Sequence, residues 1–178
     1  MTNQISSQSL LPSNGFRFNI KRLPHVNYFT QAISVPGLNM SGGIDVPTPF
    51  TNIPLPGGKL IFEPLPIKFR VDEDLRNYQE IFDWLVGLGH PDNFNQTRAL
   101  EAASQALLSR EGAIRKLMSD ATLILMTAKM NSNVAVTFED VFPISLTNLD
   151  LTTTDTDVEY LECTVVFRYR RFRFDRLV

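Results

Sequence analysis

Residues Val158 to Phe174 alternate like a single β-strand, well beyond the roughly five or six residues of an ordinary strand. Odd positions carry Leu161, Cys163, Val165, Phe167 and Tyr169, while even positions carry Tyr160, Glu162, Thr164, Val166, Arg168 and Arg170. That two-residue period assigns one face to a core and leaves a mixed face opposite. After Tyr169 the parity inverts: Arg171 and Arg173 take the odd positions, Phe172 and Phe174 the even ones. The inversion predicts a bulge or bend near Arg170 and Arg171. A strand that outlasts its own domain's core needs a neighbour, so the chain is constrained to a β-sheet architecture with a partner for this run.

The 178 residues suit one domain with a sizeable core. A formal net charge of −2 argues against a general binder of nucleic acid or anionic membrane. The charge is polarised: five arginines fall between Arg168 and Arg176, while Asp150, Asp155, Asp157, Glu159 and Glu162 precede them. One cysteine rules out an intramolecular disulfide and fits a reducing compartment. The start of the chain has no basic, apolar leader pattern, and the longest aliphatic run, Leu123 to Met126, is too short to span a bilayer. The expectation is a soluble protein, unexported by the general route, with no membrane-spanning segment. Thirteen Phe and eleven Pro favour many short strands and extended loops over a helical bundle.

Residues 1–13 are polar and read as a flexible arm, leaving 14–178 as the domain. Gly15 to Lys21 alternates as a first strand, broken at Leu23-Pro24, with Val26 to Val35 as its expected antiparallel partner. Pro36-Gly37 fits a type II turn with positive φ at the glycine. The proline and glycine density from Gly42 to Leu60 excludes a central strand and predicts an edge hairpin or protruding loop. Its Ile44, Val46, Phe50, Ile53 and Leu55 read either as a surface that docks on another subunit or as a loop folded on its own core. Leu60 to Val71 resumes as a strand interrupted at Pro64 and Pro66. A helix is expected from about Glu73 to Leu88, started by Asp72, Glu73 and Asp74 and burying Leu75, Tyr78, Phe82 and Leu85, with Ile81 and Trp84 widening the stripe. A second helical segment spans Gln96 to Met118 on Leu100, Ala103, Leu107 and Leu108, divided by Gly112. Strands then follow at Ala121 to Met130, Val134 to Phe142 and Ile144 to Leu151, before a Thr/Asp turn at 152–157 and the long final run.

Catalytic signals are sparse. His25 and His90 each sit beside a proline in a connection, and parity points Cys163 into the core, so no nucleophile and base are brought together. Two His and one Cys lack zinc-ligand spacing. Gly57-Gly58-Lys59 lacks the remainder of a phosphate loop, and the Asp150 to Glu159 carboxylates lack a calcium-loop register. No catalytic, metal or cofactor site is expected, and the chain reads as non-enzymatic. The arginine and aromatic interleaving from Arg168 to Phe174 could bind single-stranded nucleic acid. The acidic net charge favours cross-strand or cross-subunit pairing with carboxylates instead.

Several motifs in combination resemble the tail tube proteins of contractile-tailed bacteriophages and their relatives in contractile-injection and type VI secretion machines. They are Phe16-Arg17-Phe18-Asn19-Ile20, Val35-Pro36-Gly37-Leu38, Ile53 to Leu60, Phe69-Arg70-Val71-Asp72-Glu73-Asp74-Leu75 with Tyr78 and Trp84, Phe142-Pro143-Ile144-Ser145-Leu146, and Val165-Val166-Phe167-Arg168-Tyr169. The helical insertion at about 95–118 departs from the group's pattern. The resemblance implies a mainly β fold with one flanking helix, in which two antiparallel sheets pack orthogonally as a sandwich or partial barrel. It further implies a homo-hexameric ring whose lumen is a β-barrel, and rings stacked into a tube that passes genomic DNA without sequence-specific binding. Sheath, baseplate and tail-terminator proteins become the expected partners, and a virion tail assembled in the host cytoplasm the expected location. On that reading Ile44, Val46, Phe50, Ile53, Leu55, Phe172 and Phe174 serve subunit interfaces, while Glu162, Thr164, Arg168 and Arg170 face the lumen or a neighbouring strand. A baseplate initiator or tail terminator of the same fold is the alternative, followed by a nucleic-acid-binding β module.

Overall fold

Alternation of apolar and polar residues builds two four-stranded antiparallel sheets that share one strand. The computed structural model describes residues 10–91, 93–105, 117–153 and 159–177. In chain order the elements are β1 (Phe16–Ile20), α1 (Pro24–Phe29), β2 (Thr30–Ile33), β3 (Leu38–Met40), β4 (Ile44–Pro47), β5 (Asn52–Leu55), β6 (Leu60–Phe62), β7 (Leu65–Arg70), α2 (Arg76–Gly89), α3 (Asn95–Gln105), β8 (Ser119–Met126), β9 (Ser132–Leu146), β10 (Glu162–Arg168) and β11 (Arg171–Arg176). One sheet runs β1-β8-β9-β11 and the other β2-β7-β10-β9, because β9 pairs β8 and β11 along its first part and β10 along its second.

The long strand is therefore β9, at 15 residues, where two strands were expected at Val134 to Phe142 and Ile144 to Leu151. The C-terminal run instead divides into β10 and β11 around Tyr169 and Arg170. The two changes share a cause. Val136 and Phe138 point inward before Asp140, which has φ 56°, and Val141 and Pro143 point inward after it. The bulge in β9 and the bend before β11 sit side by side, since the Arg170 N–H donates to the Glu139 carbonyl (2.9 Å). Both strands swap faces at this level, and there one sheet turns into the other. Pro143 is tolerated because this half of β9 has β10 as its one strand partner.

Other expectations change for local reasons. Pro24 stands at the first turn of α1, where its fixed φ favours a helix, so only the last part of Val26 to Val35 is strand. β1 and β2 do not pair with each other; their partners are β8 and β7. No described glycine has positive φ, so Pro36-Gly37 is an extended link and not a type II turn. The interruption of Leu60 to Val71 falls at Glu63-Pro64, and Pro66 lies inside β7.

Asp72 to Asp74 form a turn closed by Leu75 N–H to Asp72 O (2.9 Å), with Leu75 itself left-handed, so α2 begins at Arg76. Asn77 fastens that start: its Nδ2 donates to Arg70 O (2.7 Å) and its Oδ1 accepts from Asp72 N–H (3.1 Å). Rotating the start rotates the buried face to Asn77, Ile81, Trp84 and Gly87, leaving Leu75 and Phe82 exposed and Tyr78 and Leu85 half-buried. His90, left-handed, caps the far end.

Trp84 packs on Phe167 (centroids 6.1 Å apart), donates Nε1–H to Leu117 O (2.9 Å), and lies under the Arg22 guanidinium. Burial lowers Arg22 to about 10. α3 packs on α2 through Leu100 against Gly87. Residues 1–9 of the expected arm, Leu107, Leu108 and Gly112 of the second helical segment, and 154–158 of the Thr/Asp turn lie outside the described residues. The core between the sheets holds Phe18, Ile20, Leu65, Ile67, Phe69, Leu123, Val136, Phe138, Cys163, Val165 and Phe167.

Candidate assembly surfaces

Gly42 to Leu60 lies within a protruding two-tier hairpin that runs from Leu38 to Phe62. β3 pairs β6 at its base and β4 pairs β5 toward its tip, which turns at Thr48 to Thr51, where Thr48 N–H donates to Thr51 O (3.0 Å). The arms close tightly between the tiers. A Cβ on Gly57 would lie 1.8 Å from Ser41 O and one on Gly43 2.1 Å from Leu55 O, so only glycine fits at either position. The base is anchored by Phe62, stacked edge-on against Tyr169 and Phe172. Tyr169 also donates its hydroxyl to Glu63 O (2.8 Å); burial, with the Glu63 charge second, pushes its pKa up to about 12.

Of the hairpin residues expected to dock, Phe50 is 98% exposed and Ile44 70%, with Val46, Ile53 and Leu55 also exposed. Among the described residues nothing covers this apolar surface. Phe174 is 59% exposed, whereas Phe172 is half-buried among Phe62, Phe138 and Tyr169.

The even face of β10 meets its own neighbours first. Glu162 ion-pairs with Lys68 of β7, which holds its carboxyl below the usual range. The Thr164 N–H donates to Thr147 Oγ1 (2.9 Å). Arg168 is exposed, and Arg170 is bound at the sheet corner.

At that corner Glu139 receives three arginines. Arg170 Nη2 donates to Oε2 (2.6 Å), Arg171 Nε to Oε2 (2.7 Å) and Nη2 to Oε1 (3.2 Å), and Arg173 also pairs with Oε1. Arg170 Nε reaches Asp140 Oδ2 as well (3.2 Å). Hydrogen bonds from Arg171 and then Arg170 lower Glu139 from 4.5 to about 2, and Glu139 in turn raises Arg171. The arginines thus pair with carboxylates across strands. Their partners come from β9, while the Asp150 to Glu162 stretch supplies Glu162 to Lys68. Sequence reasoning missed Glu139 and Asp140, whose signal was an acidic pair interrupting the alternation of Val134 to Phe142.

Cys163 is buried, with Sγ against Thr147 Oγ1 (3.2 Å), and burial pushes its thiol pKa up. His25 pairs with Glu80 (2.5 Å) and His90 caps α2, so neither histidine contacts the thiol. Among the described residues no cluster of three His, Cys, Asp or Glu is placed to hold a metal, and no helix is long and apolar enough to cross a membrane.

A family model described as "Phage tail tube protein" matches residues 6–175. No curated protein matches by sequence. Among solved structures, the fold is similar to a chain of the sheath-tube complex of the extracellular contractile injection system PVC in its extended state (TM-score 0.59, 14% identity, 99% of each chain covered). It is also similar to one from the sheath/tube terminator of that system (TM-score 0.58, 16% identity, 94% of this chain and 98% of the other). A third likeness is to the tube-terminating cap of the anti-feeding prophage (TM-score 0.55, 13% identity, 98% of this chain and 96% of the other). At these identities the likenesses establish the fold.

Proposed function

The chain belongs to the phage tail tube protein family, a structural component of the virion tail, and from that premise we propose that six copies close into a ring, that rings stack into a tube, and that DNA passes through the lumen. Residues 14–178 act as one domain, with α3 opening the helical insertion at about 95–118. The role is mechanical and non-enzymatic.

The observation that carries the reading is the β1-β8-β9-β11 sheet. It is antiparallel throughout, its core face is apolar, and among the described residues β1 and β11 each lack a second strand partner. Unpaired edges of this kind template association with another chain, and barrel closure removes them. The exposed apolar hairpin supplies a second contact, through Ile44, Val46, Phe50, Ile53 and Leu55, to a neighbouring subunit or ring. A channel for DNA avoids a dense basic lining, because phosphate contacts would retain the genome; arginines bound by Glu139 fit that requirement. Sheath, baseplate and terminator proteins are the partners, and assembly takes place in the host cytoplasm.

Negative-stain microscopy of the purified protein, alone and with baseplate extract, tests the reading. Rings and hollow tubes are expected, and monomers under all conditions would overturn it. The cap and terminator chains share the fold, so a single-ring initiator or terminator is the second reading. Long tubes favour the repeating subunit, isolated rings the alternative.

A further inference from the structure

Both free edges of the β1-β8-β9-β11 sheet can be read atom by atom. Gly15 O accepts from Met126 N–H (2.8 Å), so by strand alternation the odd residues of β1 bond to β8 and the even ones point their N–H and C=O outward. Ile20 shows this directly. Its outward N–H donates to Asn27 Oδ1 (2.9 Å) and its C=O accepts from Asn27 Nδ2 (3.1 Å), the carboxamide standing where another strand would lie. Among the described residues, the backbone groups of β1 left without a partner strand or side chain are thus those of Phe16 and Phe18. On β11, Leu177 N–H donates to Asn133 O (2.9 Å), which fixes Arg171, Arg173 and Asp175 as bonded to β9 and leaves Phe172, Phe174 and Arg176 facing outward.

With four strands of alternating direction, the β11 of one copy meets the β1 of the next antiparallel, and core faces and polar faces continue across the junction. We propose that this seam has one register, Phe174 opposite Phe18 and Asp175 opposite Arg17 of the adjacent copy, with the Asn27 carboxamide ending the ladder. The inference rests on the ring reading above. Three observations choose this register over its neighbours. Moving the strands by two residues one way sets Arg173 against Arg17, a like-charge pair. Moving two the other way places Arg17 opposite Leu177, beyond the end of β11, and shortens the overlap. The chosen register joins the cation Arg17 to the anion Asp175 on the polar face and covers exposed Phe174 with an aromatic neighbour on the core face.

Arg17 and Asp175 form a non-hydrogen-bonded pair in this seam, with Cα atoms about 4.5 Å apart, within disulfide range. The double variant Arg17→Cys, Asp175→Cys, assembled under reducing conditions and then oxidised, is expected to give a ladder of covalent oligomers on a non-reducing gel. A second double variant, Arg17→Cys, Arg173→Cys, is expected to give none. Charge exchange supplies a test free of cysteine: Arg17→Asp or Asp175→Arg alone loses assembly, and the two together regain it. If the wild-type protein forms rings yet the second double variant gives the ladder, or no pair cross-links and charge exchange does not rescue, the register is wrong while the ring reading stands. If the wild-type protein forms no rings, both fail.

Discussion

Asn77 and Glu139 show how single polar side chains fix this fold. Asn77 is fully buried and bridges the end of β7 to the turn before α2; removing its carboxamide strands a carbonyl and an N–H. Asn77→Ala is expected to lower unfolding free energy by about 1–3 kcal/mol, measured by urea titration, and an unchanged midpoint would show that water replaces both bonds. Glu139 makes a pH prediction. Its folded pKa of about 2 lies below the ordinary 4.5, so the native state binds that proton less readily than the unfolded chain. The stabilisation is complete above about pH 4.5 and is lost as pH falls toward 2. Glu139→Gln should therefore unfold with a shallower acid dependence between those limits; parallel slopes would remove the arginine cluster as the cause. The pairing of these arginines with carboxylates was legible from the net charge and strand parity. Which carboxylates was not, because Glu139 lies some 30 residues away in sequence and meets them only through the β9–β11 register.

At the scale of elements, period-two alternation located β1, β7 and β10 and the bend before β11, since each has one buried face, while β8 was legible as a run apolar on both faces. It misjudged β9 by breaking it at Pro143, which lies within the strand where β10 is the one strand partner, and it passed over the bulge at left-handed Asp140, whose φ no alternation signals. The same limit applies to α2. Carboxylates before a helix mark its vicinity, but the residue at which it starts depends on Asn77 and the turn at Leu75, and a three-residue offset rotates the buried face. Gly87 is where that face meets α3: a Cβ there would stand 2.9 Å from Leu100 Cβ and 2.8 Å from its Cδ2. Alanine improves helix propensity by roughly 1 kcal/mol, yet the contact involves atoms close to the α3 backbone and yields poorly. Gly87→Ala is therefore expected to destabilise by about 1–3 kcal/mol. Leu100→Ala in the same chain should recover part of that loss, a favourable coupling of about 0.5–3 kcal/mol in a double-mutant cycle. Additive effects would mean that the two helices separate freely.

Over the whole molecule, stability and assembly are carried by different surfaces. The core lies between the two sheets, whereas the hairpin projects from it, tied down at its base by Phe62, Tyr169 and Glu63 and exposed along β4 and β5. The proline and glycine pattern showed in sequence that this segment leaves the core, and the apolar residues within it raised the question of what covers them. A sequence without its neighbours cannot say which surface answers. Because Ile44 and Phe50 contribute little to burial within one copy, Ile44→Ser with Phe50→Ser is expected to leave the unfolding free energy of the unassembled protein, followed by thermal melting, within the range of ordinary surface changes, about ±0.5 kcal/mol. If the hairpin bridges copies, the same variant loses polymer, seen as monomer or single rings where the wild type sediments as tubes. Loss of thermal stability would place the hairpin in its own core, and full-length tubes from the folded variant would remove it from the assembly contact and leave the sheet edges as the surface that joins copies.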